Sequence, residues 1–472
     1  STKSLIENTG HILGEQVELV ATESTSVIKN TPGAIISAKN SIELRGNCVA
    51  QSGGIISEGN IHIHTYTFSH TQGLIQAKGN VIIHAVNIEC LANIEADGDI
   101  ELHYGGGQWI AADKLHARGT VRFFWPDGKA ITQAFTLMGG LQYEIASTAQ
   151  QPLQFLVSQP VLGDFIIHTP TPLIVGNDSV YVTLGGSPQH ACQKIDIQAQ
   201  TINLYHGRLL SVAGIVLKSQ SLTLGRPQGY CAIMSCGNIE LEASSCTWSH
   251  LEIRGMQNLH VKSGSLDNLS SNVVIEGNAF LETSSQHHLL TATTNLGGQW
   301  APHCDMSAMQ AYKSLYEKQE ALTKSAYFEV GNTLTTTGQM LIFASQVHCG
   351  EFVGPTPIVQ SFIPYQKWVG HSYFGNPKRK TFWRDYPGTT VGTPISGQFS
   401  VSKSLRMQYA LLDISGIVAA SEIELKNIRQ GHVGWSLEIQ LPPAKPFRSY
   451  VPLMDYASSH SALFGITDIG VY

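Results

Sequence analysis

Arg45, His64, His84 and His103 recur at one place in successive sequence repeats, separated by 19, 20 and 19 residues. Each directly follows the second apolar residue of its repeat: Leu44, Ile63, Ile83 or Leu102. If a repeat is one coil of a stacked β structure, neighbours in this column stand about 5 Å apart, the spacing of hydrogen-bonded strands. Three imidazoles at that separation could share a metal ion or stack as neutral rings. No cysteine or second clustered carboxylate completes a metal set, so the expectation is a ladder of exposed rings and no metal site is assigned.

The other chemistry-bearing residues are more scattered. The eight cysteines, Cys48, Cys90, Cys192, Cys231, Cys236, Cys246, Cys304 and Cys349, include no Cys-x-x-Cys pair. They read as small buried hydrophobes, too sparse for a disulfide scaffold. Cys231, Cys236 and Cys246 fall in the same or adjacent coils, where one disulfide could form in an oxidising compartment.

Cleaving a glycosidic bond by hydrolysis takes two acids a few ångström apart, and β-elimination takes a base with a cation, often calcium. No two acidic residues are adjacent in this chain, so the Asp-Asp signature of polygalacturonases is absent. Their Gly-His-Gly is absent too, Gly431-His432 being the nearest fragment. The glycine-rich stretches at 105–107, 185–186 and 297–298 lie among strands and turns, so no phosphate loop, dinucleotide fingerprint or nucleophile elbow is read. No catalytic residue and no cofactor is assigned, and the chain is expected not to be an enzyme.

A different chemistry is concentrated in 350–397, where Trp368, His371, Tyr373, Phe374, Arg379, Trp383 and Arg384 stand among many prolines. Aromatic and Arg side chains are enriched on recognition surfaces, and solenoids place long insertions on their binding face. These seven residues are the candidate recognition surface. The competing reading is a loop that packs its own aromatics over the core.

The elements that would carry these residues follow from the repeat. Gly14–Leu19, Ala38–Leu44, Glu58–Ile63, Lys78–Ile83 and Asp97–Leu102 share one pattern, anchored on Val17, Ile42, Ile61, Val81 and Ile100. After one longer step the anchors are 19, 20 and 19 residues apart, the mark of a solenoid. Apolar pairs flank a Gly-Asn or Gly-Asp turn, as at Ile55/Ile56, Gly59-Asn60 and Ile61/Ile63, leaving no room for a helix within a coil. The pattern returns around 195–278 and again from Leu411 to Ile428. The expected fold is all-β, a right-handed parallel β-helix with coils of about 20 residues, loop insertions and one short helical insertion.

The repeats Gly54–Ile63 and Asn93–Leu102 resemble the coils of the filamentous haemagglutinin family, large secreted bacterial adhesins and contact-dependent toxin carriers. The likeness covers 9–105 and 190–285 and rests on structural motifs. It implies a secreted or surface-displayed segment of a longer protein that meets a receptor, protein or glycan, on a host or neighbouring cell. Unlike family members, the chain shows no Asn-Pro-rich secretion region: Ser1-Thr2-Lys3-Ser4-Leu5 opens directly into repeats, so an internal or processed piece is expected. It also carries more cysteine than those adhesins. A carbohydrate-active β-helix enzyme and a purely structural spacer are the alternative readings.

Composition bounds the remaining classes. Only 14 % of residues are charged, against a usual ~25 %, and net charge is −6, which disfavours a nucleic-acid partner. The longest apolar stretch, Tyr409 to Ala420, falls short of the ~18 residues of a bilayer crossing and contains Asp413, so no transmembrane segment is expected. The expected organisation is a β-helix over 1–285 with inserted loops around 105–190, a helical and aromatic loop-rich insertion over 286–400, and further coils with a tail over 401–472. Within 286–400, Ser307 to Ser325 has helical spacing.

Overall fold

A strand sends alternate side chains to opposite faces, so apolar residues separated by one polar residue all point the same way. Ile42 and Leu44, Ile61 and Ile63, Val81 and Ile83, and Ile100 and Leu102 accordingly face inward, each at most 1 % exposed. The structure, a computed structural model, describes residues 4–90, 93–107, 109–110, 115–126, 129–132, 142–147, 151–186, 192–226, 229–269, 271–284, 287–290, 327–343, 345–355, 357–360, 365–366, 390–391, 398–408, 417–426, 435–440 and 448–453. These residues are all-β, without a helix, and form a β-solenoid of parallel strands, about 13 turns in all with partners about 20 residues apart. The helix expected over 307–325 lies outside the described residues, and no described helix is long and apolar enough to cross a membrane.

Two compact units divide the chain. The first comprises Ser1–Ser244 with Arg254–Met256, the second Ser245–Ile253 with Gln257–Tyr472.

In the first unit, Ile35–Gln51, Asn60–His70, Val81–Cys90, Ile100–Tyr104 and Thr120–Trp125 are successive long strands in parallel register. Ile42, Ile61, Val81, Ile100 and Val121 form one inward file, each of them fully buried. The short strands Gly54–Ser57, Leu74–Ala77, Asn93–Ala96 and Leu115–Ala117 form a second parallel face, with Ile55, Ile75, Ile94 and Leu115 inward. Parallel pairing continues through 105–190 with longer coils: Tyr143 meets Phe165 after 22 residues, and Phe165 meets Ile195 after 30.

The Gly-Asn turns join one coil to the next. Asn60 Oδ1 accepts the backbone N–H of Asn80 at 2.8 Å, Asn80 Oδ1 that of Asp99 at 2.8 Å, and Asp99 Oδ1 that of Thr120 at 2.8 Å. A second, interior polar file caps carbonyls where the long strands turn. Asn8 bonds Asn30 and the Ile35 carbonyl, Asn30 bonds the Gly54 carbonyl, and His70 Nε2 meets the Asn93 carbonyl. A buried carbonyl left without a donor is costly, and this file supplies donors that the turning backbone lacks.

The second unit repeats the scheme. Val273, Phe328, Val347 and Phe399 form one buried file, and Ala279, Leu334 and Phe352 another. The Phe352 and Phe399 rings meet edge to face with centroids 5.0 Å apart. The start of 350–397 is therefore strand rather than loop, because Gln346–Pro355 buries Val347, Cys349 and Phe352 in the stack. Further coils follow at Gln398–Gln408 and Ile417–Lys426, and Trp435–Gln440 then pairs antiparallel with Arg448–Leu453.

Candidate functional site

Parallel register places Arg45 beside His64, His64 beside His84, His84 beside His103, and His103 beside Phe124. Each follows an inward residue of a long strand and so faces outward, Arg45 exposed and the four rings half-buried between their neighbours. The His64 and His84 rings lie 4.7 Å apart and 6° from parallel, the separation of the strands themselves. His84 and His103 close to 3.8 Å at 20°, and His103 stacks on Phe124 at 4.0 Å and 7°. The sequence spacing identifies the three histidines. Phe124 extends the column by one coil, and a register of 21 residues from His103 is the signal for it.

Stacked imidazoles hold their nitrogens in parallel planes, so their lone pairs do not converge on one ion. Among the described residues no group of three His, Cys, Asp or Glu side chains is placed to hold a metal. Of the two arrangements open to the column, the structure has the ring stack.

Electrostatics follow from the stack. His84, in the middle, is pushed down to about 4, first by burial and then by the imidazoles of His103 and His64 on either side. His64 is also lowered, again by burial first and next by the Arg45 cation, with Glu43 opposing. Both shifts favour the neutral form of the His64 and His84 rings.

A row of charged residues runs two positions before the rings. Arg122 donates to Glu101 and Glu144, on the coils either side, at 2.7 Å each. Glu101 also lies 3.5 Å from His103 Nε2, and Glu144 lies 3.7 Å from His168 Nδ1. The partners hold the Arg122 guanidinium in its charged form, chiefly through the hydrogen bond to Glu144. The row is visible in sequence only when the coils are aligned, because its members are about 21 residues apart.

The three histidines border an open cleft of ≈400 Å³ that they line together with Thr65, Ala85 and Tyr104. The face presents ring surface, imidazole nitrogens and a guanidinium held between two carboxylates, which suits reversible contact with a partner.

The described cysteines are free thiols, so Cys231, Cys236 and Cys246 form no disulfide with one another. Cys192, Cys231, Cys246 and Cys349 are buried free thiols, pushed up by burial to about 12, 11, 12 and 12. Cys236 is a free thiol at the surface. The candidate recognition residues Trp368, His371, Tyr373, Phe374, Arg379, Trp383 and Arg384 lie outside the described residues.

No protein-family model matches this chain, and neither a curated protein nor a solved structure matches it.

Proposed function

We propose that this chain is a non-catalytic binding segment of a secreted or surface-displayed β-helical adhesin, of the filamentous haemagglutinin-like kind, that meets a receptor on a host or neighbouring cell. The observation that carries this reading is the flank of His64, His84, His103 and Phe124 with its Glu101–Arg122–Glu144 row, repeated coil by coil on an open face. A solenoid suits this work because neighbouring coils build a long continuous surface from one repeated unit. The likeness of Gly54–Ile63 and Asn93–Leu102 to adhesin coils supports the same reading.

The test is saturable binding of labelled protein to a panel of epithelial and bacterial cells, read by flow cytometry. The parent should bind, and a variant with His64, His84, His103 and Phe124 all changed to Ala should bind several-fold less. Deleting 367–389, which removes Trp368 to Arg384, should weaken binding in the same assay. A parent that binds no cell of the panel would overturn the reading and leave a spacer.

A second reading, polysaccharide cleavage, is favoured by one feature. Glu58, Glu95 and Asp97 line a groove of ≈590 Å³ across successive coils, with Lys78 and Arg118 paired to Glu58 and Asp97. New reducing ends or unsaturated products from pectin or heparan sulfate would support it over the adhesin.

A further inference from the structure

Tyr181 and Thr183 flank the buried Val182 on one coil, and His206 and Arg208 flank the buried Gly207 on the next, so each pair shares the outer face. Parallel register sets Thr183 beside Arg208. Arg208 Nε donates to Thr183 Oγ1 at 3.1 Å, and the Thr183 N–H donates to Ser158 Oγ, on the coil before, at 2.8 Å. His206 meets the Tyr181 ring edge to face at 5.2 Å, and the Tyr181 and Tyr230 rings lie 6.3 Å apart. These rings pack on one another and hold Tyr181 in place, 37 % exposed.

Arg208 differs from its counterparts in its charge balance. Arg45, Arg118, Arg122 and Arg226 each pair with a carboxylate. Among the described residues Arg208 has no acidic partner, and with Nε given to Thr183 the Nη1/Nη2 edge of its guanidinium meets no acceptor of the chain. A second donor stands beside it. Burial raises the pKa of the Tyr181 phenol, while the Arg208 cation and a hydrogen bond with the Thr183 hydroxyl pull it down. Thr183 accepts from Arg208 and has one hydrogen to give, which goes to the Tyr181 oxygen. The phenolic O–H is left to donate outward.

A planar guanidinium edge and a phenolic O–H side by side suit an anion with two oxygens in one plane, which is a carboxylate. One unbalanced cation in a chain of net charge −6 matches a single negative charge, whereas a polyanion calls for a row of cations. An extended peptide would need a strand edge, and both strands here, Val182–Gly185 and Gly207–Ser211, are paired on either side. A sugar needs no such edge. We propose that Arg208 and Tyr181 bind the carboxylate of an acidic sugar, Arg208 through its Nη1/Nη2 edge and Tyr181 through its phenolic O–H. This rests on the adhesin reading and names its receptor chemistry as a carboxylated glycan.

The test is calorimetric titration of the full chain with sialyllactose, with trigalacturonate and with neutral lactose, alongside the cell-binding assay. At least one of the two carboxylated sugars should bind, and lactose should not. Arg208→Gln removes the charge at similar length and should weaken that binding by about tenfold or more, the loss of a charge-assisted hydrogen bond. Tyr181→Phe keeps the packed ring and removes only the phenol oxygen; it should weaken binding several-fold, so a lost contact is told apart from a lost fold. Failure of both carboxylated sugars to bind, lactose binding as tightly as sialyllactose, or undiminished binding in Arg208→Gln or Tyr181→Phe would each overturn the site. Cell binding that persists without sugar binding sinks the site and leaves the adhesin reading intact; absence of cell binding by the parent sinks the latter.

Discussion

Asn80 Oδ1 fills the point at which a side chain on Gly98 would begin, 2.0 Å from where its Cβ would stand. The same relation holds one coil earlier, between Asn60 and Gly79 at 2.1 Å, and one coil later, between Asp99 and Gly119 at 2.1 Å. The glycine of each turn is required by the amide or carboxylate of the turn beneath it, which in turn fixes register by accepting a backbone N–H.

Gly98→Ala should therefore destabilise the first unit by ~1–3 kcal/mol, the range of overpacking in a close-packed site. Denaturant midpoints check it. In an Asn80→Ala background the added methyl no longer meets Oδ1, so the Gly98→Ala penalty should shrink, a coupling that a double-mutant cycle reads directly.

Core files should respond to truncation. Ile61 and Ile100 are completely buried, and cutting either back to Ala leaves a cavity worth ~2–4 kcal/mol. Val81, in the same file, is smaller and should cost less. Urea unfolding of the three variants measures the order.

The histidine column should make stability fall on the acid side. With a folded pKa near 4 against 6.5 unfolded, His84 binds fewer protons folded than unfolded between those values. Unfolding is thus favoured as pH drops from about 6.5 toward about 4, and His64, also lowered, adds in the same direction. Replacing His64, His84 and His103 by Gln should flatten this loss. An unchanged melting profile between pH 7 and 4.5 in the variant would show that the rings do not interact.

Thiol labelling should follow burial. Cys192, Cys231, Cys246 and Cys349 are buried with thiols held far above neutral, so an alkylating reagent at pH 8 should leave them unmodified until the chain unfolds. Cys236 is exposed and should react in the folded protein, as peptide mass mapping would show.

The coil, its period and its inward files are legible in the sequence because burial in a solenoid follows a strict alternation that Ile42/Leu44 or Ile61/Ile63 displays without any long-range partner. The Arg45, His64, His84 and His103 column is legible for the same reason. Phe124 and the Glu101–Arg122–Glu144 row are harder to see, since longer coils between 105 and 190 break the period that would align them. The glycine–asparagine pairs read from sequence as turns. Their partnership across coils is a matter of atomic contact, which turn chemistry alone does not reveal. Likewise the first residues of 350–397 are rich in Gly and Pro and read as loop, yet Phe352 draws them into the stack. Tyr181 and Tyr230 stand 49 residues apart in irregular coils, where no fixed spacing brings them together.

The one-coil reach of every parallel ladder in the first unit has a mechanical consequence. Among the described residues, a strand such as Asn60–His70 has ladder partners only in Ile35–Gln51 and Val81–Cys90. Pulled from its end, a stack held by such neighbour pairings yields coil by coil in sequence. Each release frees about 20 residues, or roughly 65–70 Å of extended chain. A chain built this way pays out length under load in a series of small yields, larger where the coils between 105 and 190 are longer, in place of a single rupture.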